Sequence, residues 1–167
     1  MKRTLTASII VAACVGLDQA TKHLAVLELK DSAPISLWNA TVRLLYAENT
    51  GAWGSLGDSW PPVVRYVALV GMPLLVLGLI GFGLVRRATI SRAELVGYSL
   101  VLGGGIGNII DRLLHGYVVD FLYVGFGRFA TNIFNIADMA IVTGVGLLVL
   151  AHFYGPRTAP PQASITR

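Results

Sequence analysis

The sequence predicts an all-α membrane protein with four transmembrane helices and a small extracytoplasmic β-hairpin or sheet inserted between helices 1 and 2. Three observations carry that expectation. Of the 167 residues, 54% are hydrophobic and only 13% charged, with a mean hydropathy of +0.68, whereas a soluble domain carries about 25% charged residues. Four apolar segments are long enough, or nearly so, to cross a bilayer. The connection after the first of them contains short runs of strand character. The formal net charge of +4 does not gather in a patch, so nucleic acid is not an expected partner. The single cysteine, Cys14, excludes an intramolecular disulfide framework and a Cys-rich metal site.

The first helix, about residues 4–27, holds Asp18 and Lys22, four apart on one face and able to pair with each other or with neighbouring helices. The second, about 63–85, contains nineteen uncharged residues from Val67 to Val85. At about 1.5 Å rise per residue it nearly matches a hydrocarbon core of roughly 30 Å. The third, about 93–114, extends the apolar run Leu95–Ile110 through Asp111 and Arg112. The fourth covers about 135–154. With an outer β-rich insertion at about 34–60, these form one integral membrane domain over 1–157, followed by a cytoplasmic tail at 158–167.

In the connection 28–62, Ile35-Ser36-Leu37-Trp38 and Val42-Arg43-Leu44-Leu45-Tyr46 read as strands around Asn39-Ala40-Thr41. That tripeptide reads as a turn in preference to a glycosylation sequon, and Glu48-Asn49-Thr50-Gly51-Ala52 as a second turn. The connection 115–132 carries Tyr117, Phe121, Tyr123, Phe126 and Phe129, which predicts an aromatic belt or a short half-helix in the interface. Lys2 and Arg3, then Arg86, Arg87 and Arg92, then Arg157 and Arg167 fall on one side of a four-span chain. The positive-inside rule puts both termini in the cytoplasm and the two connections outside.

Two acids then lie at the outer face. Asp120 sits in Val118-Val119-Asp120-Phe121 and Asp138 in Phe134-Asn135-Ile136-Ala137-Asp138. A charge at membrane depth costs roughly 2.5 to 3.5 kcal/mol on insertion scales. Two carboxylates that converge are the minimal apparatus for activating water by shared acid and base work. Asp138 opens a helix and could serve only as a cap, an excuse that Asp120 lacks.

Asn108, Asp111 and Arg112 share a face of the third helix. They form either an Asp–Arg pair anchoring the helix end or a set of donors holding a substrate backbone beside the acids. Gly103-Gly104-Gly105-Ile106-Gly107 serves helix packing, close approach of a substrate helix, or both. His115 near the acids has no recurring ligand spacing, so neither a metal nor a cofactor is expected. Cys14 after Ile10-Val11-Ala12-Ala13 imitates a lipoprotein processing site, but the apolar run continues to Leu27. A small transporter or proton-relay subunit is the main competing function. It would spread ionisable groups through the membrane depth, whereas the second helix has none between Arg65 and Arg86. A lipoprotein or assembly factor without catalysis is the third.

Five stretches occur in order: Asp18-x-x-x-Lys22, Asn49-Thr50-Gly51-Ala52, Gly104-x-x-x-Asn108-x-x-Asp111-Arg112, Val119-Asp120-Phe121 and Phe134-Asn135-x-Ala137-Asp138. Together they resemble the lipoprotein signal peptidase family, signal peptidase II, over nearly the whole chain. The resemblance implies an intramembrane aspartic endopeptidase with catalytic Asp120 and Asp138, which cleaves prolipoproteins before a cysteine carrying diacylglyceryl. It assigns polar support and substrate binding to Asn49, Asn108, Asp111, Arg112 and Asn135, with Asp18 and Lys22 as a structural or lipid-side pair. It further implies a monomer in the bacterial cytoplasmic (inner) membrane, in contact with membrane lipid and open to a globomycin-type inhibitor. Trp53-Gly54 departs from the family pattern.

Overall fold

The structure, a computed structural model, describes residues 2–52, 56–57, 59–87, 89–126 and 128–154. Trp53-Gly54, Arg157, Arg167 and the expected tail at 158–167 lie outside the described residues. Among the described residues, four helices are long and apolar enough to cross a membrane: α1 (Lys2–Leu29), α2 (Pro62–Arg86), α3 (Arg92–His115) and α4 (Ile136–Tyr154). The chain is a multi-pass membrane protein.

α3 is the hub. It packs most extensively on α4, then on α1, and more lightly on α2. Its glycines make this possible: a Cβ on Gly104 would run into the Ala137 carbonyl of α4, and one on Gly107 would lie 2.5 Å from the Asp18 carboxylate of α1. Packing therefore accounts for the glycine stretch, as small residues do wherever membrane helices approach closely. Ser91 and Glu94 form a capping box at the start of α3, and Gly116 closes its end at φ 82°.

α2 carries a π-helical turn over Val67–Gly71, where the Met72 N–H reaches back to the Val67 carbonyl. Pro73 explains it. Proline has no N–H, and its ring crowds the carbonyl one turn back, so the helix widens just before it.

The sheet runs β1-β2-β3-β4, with β1 at Ile35–Leu37, β2 at Val42–Asn49, β3 at Val118–Phe126 and β4 at Phe129–Ala130. The β1–β2 hairpin turns through positive φ at Trp38, Asn39 and Ala40, the turn expected there. The connection 115–132 differs from expectation, being two strands and not an interfacial half-helix. A lone two-stranded hairpin is marginal, and β3 supplies the third strand by pairing antiparallel with β2. The sheet is thus shared between two connections. Val119 and Phe121 of β3 join Ala25 and Leu29 of α1 in a small buried core that fixes the sheet on the bundle.

Candidate active site

β3 and the start of α4 bring Asp120 and Asp138 to one place. The register Ala47↔Asp120 lies just past a β-bulge between Leu44 and Ala47. Such irregularities re-aim side chains. Asp120 is 2% exposed. Its Oδ2 accepts from Asn49 Nδ2 at 3.0 Å, and its Oδ1 from Asn135 Nδ2 at 2.6 Å.

Asp138 caps α4: the Asp138 N–H donates to Asn135 Oδ1 at 2.9 Å, and the Asn135 N–H to Asp138 Oδ2 at 3.3 Å. Its Oδ1 is left to accept from Asn108 Nδ2 at 2.8 Å. Capping and a place in the site coexist in one carboxylate. Asn135, fully buried, touches both acids through its side chain and main chain. Burial pushes the Asp120 carboxyl up to about 6, and the Asp138 charge pushes the same way, against the opposing hydrogen bonds of Asn49 and Asn135.

Beneath the acids lies a second layer. Lys22 Nζ meets Asp18 Oδ2 at 2.8 Å, Asp111 Oδ2 at 3.0 Å and Asn108 Oδ1 at 2.9 Å. Its three protons are all used. The Asp18–Lys22 pair is enclosed by the bundle and does not face lipid. Asp18 Oδ1 also accepts the Ala137 N–H at 2.9 Å, and Asp111 Oδ2 the Val119 N–H at 3.0 Å. This layer therefore holds the residues next to each acid.

Asp111 and Arg112 do not pair with each other, contrary to the helix-anchor alternative. Arg112 Nη2 instead donates to the Gly51 carbonyl at 2.9 Å. Adjacent residues in a helix point about 100° apart, so Asp111 and Arg112 flank Asn108 on either side, Asp111 turned to Lys22 and Arg112 to Gly51. Arg112 Nε is buried with no hydrogen-bond partner among the described residues. Its guanidinium lies within electrostatic range of Asp138, Asp120 and Asp111. Gln19, which sequence reasoning passed over, donates to Asp111 Oδ1 at 2.8 Å. The available signal was an amide beside Asp18 inside an apolar run.

A cavity of about 520 Å³ reaches Asp120 from the sheet, passing Asn49, Ala47 and Asn132 to Arg43 and Tyr123. The Arg43 guanidinium stands 5.5 Å from the Tyr123 ring centroid. His115 stacks on Tyr117 and takes no part in the site. Among the described residues no three His, Cys, Asp or Glu side chains converge as metal ligands.

Residues 10–154 match the family described as signal peptidase (SPase) II. The chain belongs to that family. It is 36% identical over 154 residues to the lipoprotein signal peptidase of Chlorobium phaeobacteroides, covering 87% of this chain and 86% of the relative. It is 34% identical over 162 residues to the lipoprotein signal peptidase of an Azoarcus species, covering 93% and 89%. The fold is similar to that of a bacterial membrane enzyme solved by the in meso method at 2.3 Å resolution, with a TM-score of 0.79 and 24% identity over 94% of both chains. A signal peptidase II is a peptidase, so this member of the family is an enzyme.

Proposed function

We propose that this signal peptidase II is an aspartic endopeptidase of the bacterial cytoplasmic membrane. It removes signal peptides from prolipoproteins, cutting before the diacylglyceryl-modified cysteine. The observation that carries the reading is the joint hold of Asn135 on Asp120 and Asp138, together with the raised Asp120 carboxyl. Two close carboxylates cannot easily both ionise, so the pair shares one proton.

Asp120 is the protonated member, since burial favours its neutral form. Asp138, accepting the Asn108 amide and the Asn135 N–H at the positive end of α4, is the general base. Asp138 takes a proton from water as the water oxygen attacks the scissile carbonyl carbon. Asp120 hydrogen-bonds the carbonyl oxygen and donates its proton as charge develops there. The carbonyl then reforms, its proton returns to Asp120, the C–N bond breaks, and Asp138 passes its proton to the leaving amine.

Arg112 Nε, buried and unpartnered among the described residues, receives a substrate backbone carbonyl. An unmet buried donor costs about 1–3 kcal/mol, a penalty that substrate relieves. Membrane lipid surrounds the bundle, the enzyme works as a monomer, and a globomycin-type inhibitor competes for the same acids.

Cleavage of a diacylglyceryl-modified prolipoprotein by the purified protein tests the reading. Turnover of the modified form and not of its unmodified counterpart is expected, and the reverse preference contradicts it. The Lys and Arg distribution further supports an orientation with both termini in the cytoplasm. A reporter fused near Asn39 that scores as cytoplasmic would invert that orientation.

A further inference from the structure

The end of the bundle remote from the acids holds a second cavity, and nothing in the catalytic reading uses it. α1 and α2 both lean on α3 but barely on each other, leaving between them a cleft of about 320 Å³ floored by Leu95 and Leu102. Its walls are small, with Ala7 and Ala12 on α1 facing Gly81 on α2. A Cβ on Gly81 would meet no atom within 4 Å. Close packing therefore does not require the glycine there; what it leaves is room.

A hole in this position forfeits the contacts of its lining unless something apolar enters, and in a bilayer the available material is hydrocarbon chain. The mouth is not apolar. Arg3 lines it, half-buried, with Nη2 3.5 Å from the Leu84 carbonyl. Around it the described helix ends carry Lys2, Arg86, Arg87 and Arg92 against one acid, Glu94. Glu94 lies 3.5 Å from Arg87. A guanidinium in a half-buried site binds phosphate oxygens through paired N–H groups. The surplus of positive charge favours a headgroup with net negative charge over a zwitterionic one.

We propose that the α1–α2 cleft binds one anionic glycerophospholipid, with an acyl chain between the helices and the phosphate on Arg3. The site is independent of the peptidase chemistry. It ties the loosely packed α2 to α1 through a molecule of the membrane itself.

Native mass spectrometry of the full chain, titrated with phosphatidylglycerol or phosphatidylcholine of identical acyl chains, tests this. One retained phosphatidylglycerol is expected, bound about fivefold more tightly than phosphatidylcholine, the factor that one basic residue contributes near anionic lipid. Arg3→Gln should weaken retention of both lipids, since both carry the phosphate that it holds. Gly81→Leu, which fills the cleft, should weaken both lipids; if that variant does not fold, Ser8→Leu on the opposite wall serves the same purpose. Soluble glycerol phosphate should not displace the lipid. Equal retention of both lipids, unchanged retention in Arg3→Gln, full binding to a filled cleft, or displacement by glycerol phosphate would each overturn the proposal.

Discussion

Lys22 Nζ lies 2.9 Å from Asn108 Oδ1, and Asn108 in turn directs its Nδ2 to Asp138 at 2.8 Å. The ammonium of α1 thereby fixes which way the Asn108 amide points, and a buried ion cluster bears on the acid of α4 without touching it.

Lys22→Met should be strongly destabilising. It leaves Asp18 and Asp111 buried at 0% and 2% exposure without their cation. Breaking a buried pair from one side costs about 3–5 kcal/mol. Thermal unfolding in detergent should show a large fall in Tm; a Tm within a degree or two of the parent would mean that the cluster contributes little.

The glycines divide into two kinds. Gly104→Ala should lower Tm, because its Cβ meets the Ala137 backbone and overpacking costs about 1–3 kcal/mol. Gly78→Ala, where the added Cβ meets nothing within 4 Å, should be neutral or slightly stabilising through helix propensity. Equal effects at both positions would remove close α3–α4 packing as the reason for Gly104.

Four spans, the β1–β2 hairpin and the nearness of the acids to one end of the bundle were legible in the sequence because each depends on composition or short-range spacing. β3 was not, although Tyr117, Val119, Phe121 and Tyr123 alternate with the period of a strand. The aromatic content suggested a membrane interface, and a strand is recognised as one only when the β2 edge that it completes is known. The wiring of the support residues was equally hidden. Asp111 and Arg112 are adjacent in the chain, and only the packing of α1 against α3 decides that Lys22 takes Asp111 while Arg112 turns to Gly51.

If Asp120 and Asp138 act as the proposed pair, the raised Asp120 carboxyl sets a pH limit. The shared proton is held below about 6 and lost as pH rises through that value, when both acids ionise and the proton donor disappears. kcat/KM should fall on the alkaline side accordingly. Asn49→Ala removes a donor that favours the charged form, so the carboxyl should rise further and the alkaline limb shift to higher pH. A limb that stays put or moves lower would separate Asp120 from the rate.

Activity should survive exhaustive treatment with EDTA, since among the described residues no three His, Cys, Asp or Glu side chains converge as metal ligands. Loss of activity restored by added zinc would turn the aspartates into metal ligands and replace the proposed mechanism.

The most direct measurement is single-turnover cleavage of a diacylglyceryl-modified prolipoprotein by Asp120→Asn, Asp138→Asn and the double variant. Each substitution keeps the size and the hydrogen-bonding reach of the side chain but removes its capacity to cycle a proton. Acid–base catalysis contributes roughly 10²–10⁴ in rate, and groups acting as one unit are not additive when removed. Each single variant should lose at least about a hundredfold, the double should be little worse, and all three should still insert and bind a globomycin-type inhibitor. Near-normal turnover by Asp138→Asn would reduce that residue to the cap of α4 and contradict the paired-acid account.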